Sequence, residues 1–259
     1  MSELEFLHAL SVDMLRHDRI DVARAPHELF QTSTIQALLS GAFDGDVTLQ
    51  ELLGHGDLGL GTLNGLDGEL IVVDGDAFKA ELDCTLSRPD KQSRTPYAVV
   101  VPFAPGRVQR FSGSVHGADV ERWAWRDADL PRALTAIRID GRFETVRVRS
   151  VPKQMPPYSS LAEAIGHQHV CDLHDVAGTM VGFCFPDGLS GIEIVGSHLH
   201  FACDQRSRGG HVLGYTLNDA TVRLDDATRL HVELPAAVDP PDLSRLVDQA
   251  AVRRLDSSE

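Results

Sequence analysis

With 259 residues, 42% of them hydrophobic, the chain can bury a core without disulfide staples, and Cys84, Cys171, Cys184 and Cys203 form no C-x-x-C pair, a usage that fits a reducing compartment. A formal net charge of −14 repels phosphate, which excludes nonspecific nucleic-acid and anionic-membrane partners but leaves room for a small anionic substrate in a locally positive pocket. No apolar run approaches the roughly 20 residues of a bilayer span, and the acidic start lacks the basic and apolar regions of a signal peptide, so the expected location is cytoplasmic.

Residues 1 to 29 form a charged lead-in, read as helical near EFLHALSVDML and interrupted at Pro26. TSTIQALLSGAFDG predicts a short helix stopped at Gly41. In TLQELLGHGD, Thr48 and Glu51 stand at capping-box spacing and open a second helix that ends by Gly54. From Leu58 the period changes to short apolar or alternating runs divided by glycine and aspartate, which predicts hairpins: ELIVVDG, AFKAEL, YAVVVPF, ALTAIRIDG and RFETVRVRSV.

PKQMPPY marks a boundary between residues 1–157 and 158–259, because its prolines deny a sheet its donors and stiffen the chain. SLAEAIGHQHV then gives a short helix. GTMVGFCFP, IEIVGSHLHFACD, GGHVLGYTL, ATVRLDD and TRLHVELP predict an antiparallel meander, and a helix from Asp242 closes the chain. No tandem repeat is visible. The expected fold is α/β, with mixed and antiparallel sheets in two parts and few short helices.

His198 and His200 stand two apart, so in a strand both imidazoles point to one side with Cα atoms about 6.6 Å apart. If SHLHFAC and GGHVLGYTL are hairpin partners joined through DQRSRGG, His211 enters from the neighbouring strand on the same face. Three nitrogens then converge on one ion and leave positions open, an arrangement that suits catalysis better than the closed four-ligand structural site. Zinc is the first choice of metal; nickel, cobalt or iron also accept imidazole. The competing reading is three histidines on a wet sheet face. His231 and the group His167, His169 and His174 are rival ligands, the latter in a helix-to-loop context. Cys203 lies at odd spacing from His200 and is read as a core thiol. Gly209 and Gly210 are assigned to the turn, as are Asp204, Arg206 and Arg208. His55 and Asp57, in GHGDLG, are acid-base candidates or simple caps.

The segments STIQALLSGAFDG, ELLGHGDLGLGTLNGLDGELIVVDG, TPYAVVVPF, RIDGRFETVRVRSVPKQMPPYSSL, GTMVGFCFPDGLSGIEIVGSHLHFACDQRSRGGHVL and LHVELP cover roughly residues 31 to 235. In content and order they resemble the alpha-acetolactate decarboxylase family. The resemblance implies metal ligation by His198, His200 and His211, an active-site glutamate at Glu69, a substrate-facing arginine at Arg149, and Thr62 near metal and substrate. A C-terminal carboxylate falls on Asp256, one methylene shorter than the family's glutamate, with Glu259 as the substitute.

The implied activity is zinc-dependent decarboxylation of 2-acetolactate, a small 2-hydroxy-3-keto acid, to acetoin and CO2 through an enediolate that the metal stabilises; a homodimer is implied too. Without the resemblance, Glu69 reads as a routine carboxylate after a D-G turn, Arg149 as a snorkelling strand end, Thr62 as a strand-face hydrogen bond, and Asp256 as part of a loose tail. A zinc-dependent hydrolase and a binding domain with a structural zinc remain the alternatives. A cupin-like oxygenase fits less well, because the expected carboxylate one residue after the H-x-H pair is absent.

Overall fold

A computed structural model describes residues 11–16, 25–126 and 134–236. In chain order its strands are β1 (Ser11–Arg16), β2 (Glu28–Thr32), β3 (Val47–Thr48), β4 (Leu58–Thr62), β5 (Glu69–Val73), β6 (Asp76–Ala80), β7 (Leu86–Ser87) and β8 (Arg94–Thr95). There follow β9 (Tyr97–Val101), β10 (Arg107–His116), β11 (Thr135–Ser150), β12 (His169–Phe185), β13 (Gly196–Cys203), β14 (Gly209–Asp226) and β15 (Arg229–Leu234). Among the described residues, four short α-helices span Ile35–Leu39, Leu49–His55, Gly117–Arg126 and Leu161–Ile165. The mixed α/β class is the one expected. No helix among the described residues is long and apolar enough to cross a membrane.

Local chemistry accounts for the helix ends. Thr34 caps the first helix through its hydroxyl, which accepts from the Ala37 amide, and Gly41 at φ 93° turns the chain away. The Thr48–Glu51 box is formed in both directions: the Thr48 amide donates to Glu51 at 2.8 Å and the Glu51 amide to the Thr48 hydroxyl at 3.2 Å. That helix runs one residue past Gly54. Its Leu49 and Leu52 cover Phe30, Leu70, Val72, Ala98 and Val100 on the outer face of the first sheet. Asp74 and Gly75, at φ 54° and 78°, make the tight turn between β5 and β6 that a D-G pair between apolar runs predicts.

The first sheet has the order β1-β15-β2-β9-β4-β5-β6-β7, and the second β10-β14-β11-β12-β13. Strand β13 also pairs with β14, so the second sheet curls until its last strand meets its second. Inside the curl lie Phe143, Phe201, Tyr215 and Leu217, with Val120 and Ala124 of the Gly117–Arg126 helix against the same cluster. A larger core fills the space between the sheets: Leu58, Leu60, Ile71 and Val99 from the first meet Ala136, Val181, Phe183 and Ala202 from the second. Full burial of such side chains contributes roughly 1.5–3 kcal/mol each, which makes this layer the platform on which any site between the sheets rests.

Several local expectations are corrected. Ser11–Arg16 is a strand, not helix, because it pairs in parallel with β15 along its whole length. ALTAIRIDG and RFETVRVRSV are one 16-residue strand, and GGHVLGYTL and ATVRLDD belong to one 18-residue strand. The polar and glycine breaks inside them are register shifts rather than turns, at 142–145 and 147–148 of β11 against β14. β15 leaves the meander and inserts between β1 and β2, parallel to both. His169 and His174 lie on β12, a strand context, and are exposed. Strands β10 and β11, which precede residue 157, belong to the second sheet, and β15, which follows it, to the first. The helix from Asp242 falls outside the described residues.

Candidate metal centre and cleft

Gly209 and Gly210 are strand residues, not turn residues, and they explain how the histidines meet. A Cβ on Gly209 would stand 2.2 Å from the Phe201 carbonyl oxygen, and one on Gly210, at φ 154°, 2.6 Å from that of Arg149. Side chains there would push β14 away from both neighbours. Without them β14 fits between β11 and β13, and its next residue, His211, pairs directly with Arg149 on one side and His200 on the other. Residues directly opposed in a sheet share a face, so Arg149, His211 and His200 form one row. Alternation along β13 adds His198 to that face and turns Leu199, Phe201 and Cys203 to the other. Cys203 is the buried core thiol expected, in contact with the Ser207 hydroxyl.

The three imidazoles have ring centroids 5.0–5.3 Å apart. One ring nitrogen from each lies within 4.8 Å of the others, and this is the one group of histidine, cysteine or acidic side chains among the described residues so placed to hold a metal. His200 is fully buried. Burial, then the neighbouring His198 and His211, holds it well below the usual histidine range. Its Nδ1–H donates to the Leu70 carbonyl at 2.7 Å, which fixes the tautomer and leaves the Nε2 lone pair facing His211 Nδ1 at 3.3 Å. Two nitrogens bound at 2.0–2.1 Å to one tetrahedral ion stand about 3.3 Å apart, so this spacing fits zinc.

The first sheet supplies the opposite wall. Thr62 pairs with Glu69 on β5 and with Tyr97 on β9, which makes a second row, Tyr97-Thr62-Glu69, on the face turned towards the second sheet. The rows meet where Arg149 Nη1 donates to Glu69 Oε1 at 2.8 Å, with both side chains buried. The other carboxylate oxygen of Glu69 stands 3.7 Å from His200 Nε2. The Thr62 hydroxyl donates to the Gly68 carbonyl at 2.8 Å. Thr62, Glu69, Arg149, His198 and His211 line one cleft, with Ile35, Leu38, Leu161 and Ile194 among its apolar members.

Of the six described residues that the family resemblance implies, Thr62, Glu69, Arg149, His198 and His211 line this cleft, and His200 lies fully buried beside Glu69 and His211. Asp256 and Glu259 lie outside the described residues. The rival candidates do not join: His231 is on β15, 3.6 Å from Glu28 and 3.7 Å from Asp13. His55 stacks on Phe30, with centroids 3.8 Å apart, while Asp57 accepts from the Phe103 amide. Arg206 donates to the Ala202 and Cys203 carbonyls of its own turn, and Arg208 to the Asp83 carbonyl between β6 and β7. Sequence reasoning missed Tyr97, a cleft residue whose hydroxyl donates to buried Glu193. The available signal was a lone carboxylate in the apolar run IEIV.

A mixed α/β fold whose imidazoles, carboxylate and guanidinium converge in one concave cleft has the form of a small-molecule site rather than a macromolecular surface. Residues 29–240 match the family model described as alpha-acetolactate decarboxylase, and the chain belongs to that family. It is 38% identical over 232 residues to the alpha-acetolactate decarboxylase of Methylococcus capsulatus, covering 86% of this chain and 87% of that one. With the enzyme of the same name from Methanosarcina mazei it shares 38% identity over 213 residues, 82% of this chain and 73% of the other. The crystal structure of alpha-acetolactate decarboxylase from Bacillus subtilis superposes with a TM-score of 0.82 at 34% identity, covering 89% and 98% of the two chains.

Proposed function

We propose that the chain decarboxylates 2-acetolactate to acetoin and CO2, with zinc held by His198, His200 and His211. The observation that carries this reading is the convergence of three imidazoles next to the Arg149–Glu69 pair, with His198 and His211 opening on the same cleft as that pair. Family membership supports the reaction. The donor set supports the metal: a neutral His200 with its second nitrogen already committed to Leu70 is an imidazole prepared for ligation. Zinc bound there would supply positive charge where the electron pair released by the departing CO2 accumulates.

The residues of the chain do the rest. Arg149 presents a planar cation suited to the substrate carboxylate and would hold the breaking C–C bond across the plane of the ketone. It accelerates the reaction only so far as it favours the transition state over bound substrate. The bond from the hydroxyl-bearing carbon to the carboxylate breaks, CO2 leaves, and the bond's electron pair moves into the adjacent ketone. One proton must then reach that carbon. Glu69, anchored as a carboxylate by Arg149 through one oxygen, is the proposed relay through the other: that oxygen takes up one proton from water and passes it to the carbon, so each CO2 released consumes one solvent proton. Thr62, its cross-strand neighbour, would orient the substrate hydroxyl.

The test is to measure acetoin and CO2 released from acetolactate before and after chelation. Metal-dependent release of both is expected. Product without CO2 would point to hydrolysis instead, and no turnover at all would reject the enzyme reading.

A further inference from the structure

Tyr97 is the third member of the row that contains Thr62 and Glu69, and it lines the same cleft. It is only 2% exposed, and its hydroxyl donates to Glu193, which is 0% exposed. Glu193 lies on the segment between β12 and β13, just ahead of the histidine strand. That segment is tied to the start of the Ile35–Leu39 helix: the Ile35 amide donates to the Ile192 carbonyl at 2.9 Å and the Gln36 amide to that of Gly191 at 3.2 Å. Ile35 and Ile194 belong to the apolar side of the cleft. Burial of a carboxyl and a phenol among such residues costs free energy that an apolar pair would not. The hydrogen bond therefore serves geometry, by fixing the ring of Tyr97 against the segment that bears Ile194.

We propose that Tyr97, held by Glu193, is a positioning residue that sets the depth of the apolar end of the cleft and thereby limits the alkyl group on the hydroxyl-bearing carbon of the substrate. The inference rests on the decarboxylase reading. In that reading the carboxylate, hydroxyl and ketone of the substrate are met by Arg149, Glu69, Thr62 and the histidine group. Its alkyl groups are left for the wall made by Tyr97, Ile35 and Ile194. An anchored ring cannot turn aside for an added methylene, and discrimination of one methylene in an apolar pocket reaches about 10–200-fold. Burial also pushes the Glu193 carboxyl up to about 8, so at neutral pH the acid is protonated and the wall adds no negative charge against a carboxylate substrate.

The experiment compares kcat/KM for acetolactate and for its 2-ethyl homologue in wild type, Tyr97→Phe, Tyr97→Ala and Glu193→Gln. Wild type should favour the methyl compound. Tyr97→Ala removes the wall and should move the ratio at least roughly ten-fold towards the ethyl compound; Tyr97→Phe keeps the ring but loses its anchor and should move it in the same direction by less. The shift should fall mainly on KM for the ethyl compound. Glu193→Gln keeps an acceptor for the hydroxyl and should retain the wild-type ratio, a rescue that a merely structural role does not predict. An unchanged ratio in both tyrosine variants of an active enzyme overturns the proposal. Failure of the decarboxylase reading would look different, as absence of acetoin from wild type.

Discussion

Arg149 and Glu69, from different sheets and 80 positions apart in sequence, are joined by a 2.8 Å hydrogen bond beside the histidine triad. Because the pair is buried, removal of either partner acts on stability as well as on chemistry.

Arg149→Ala leaves the Glu69 carboxylate in a dry site without this cation, so stability should fall by about 3–5 kcal/mol, read as the midpoint of denaturant unfolding. Acetoin formation should fall with it, with KM raised. A variant as stable and as active as wild type would remove Arg149 from the account.

Glu69→Gln keeps the shape of the side chain and an acceptor for Arg149, but it cannot deliver a proton. Turnover should drop about 10²–10⁴-fold while the fold and metal content persist. Near-normal acetoin formation by this variant would reject the proton-transfer role.

His200→Ala should abolish both metal binding and the rise in melting temperature that zinc gives a protein whose folded state alone holds it. His231→Ala, on the other sheet, should leave metal content and turnover as they are. Equal metal loss in the two variants would place the ion elsewhere.

Glu193 makes stability depend on pH. Its folded value of about 8 lies above the ordinary 4.5, so the folded chain keeps a proton that the unfolded chain has released between these values. Stability from this source is full below about 4.5 and is lost as pH rises towards 8, with an upper limit on the order of 5 kcal/mol. Glu193→Gln is neutral throughout, so its melting temperature relative to wild type should rise from pH 5 to pH 8. A constant difference across that range would refute the assignment.

The parts of this site that could be read in the sequence are the local ones. His198, His200 and His211 follow from strand alternation and one hairpin, and both operate within a few residues. The Thr48–Glu51 cap and the Asp74–Gly75 turn are local too. What brings Glu69 to Arg149 is the packing of two sheets, and only family resemblance marked those residues beforehand. Tyr97 carries no local signal, because its place beside Thr62 depends on the register of β9 against β4. The full lengths of β11 and β14 are not legible in the sequence, because internal bulges break alternation as a turn would. The parallel insertion of β15 between β1 and β2 joins segments about 200 residues apart, and no periodicity carries that information.

The central claim is that the three histidines hold a metal on which the decarboxylation depends. The most direct measurement is a titration of zinc into chelated protein, with bound metal per chain and acetoin formation from acetolactate followed together. The account predicts that activity is lost on chelation and returns in proportion to occupancy, reaching its maximum at one ion per chain. Full activity in protein shown to be free of metal would contradict it.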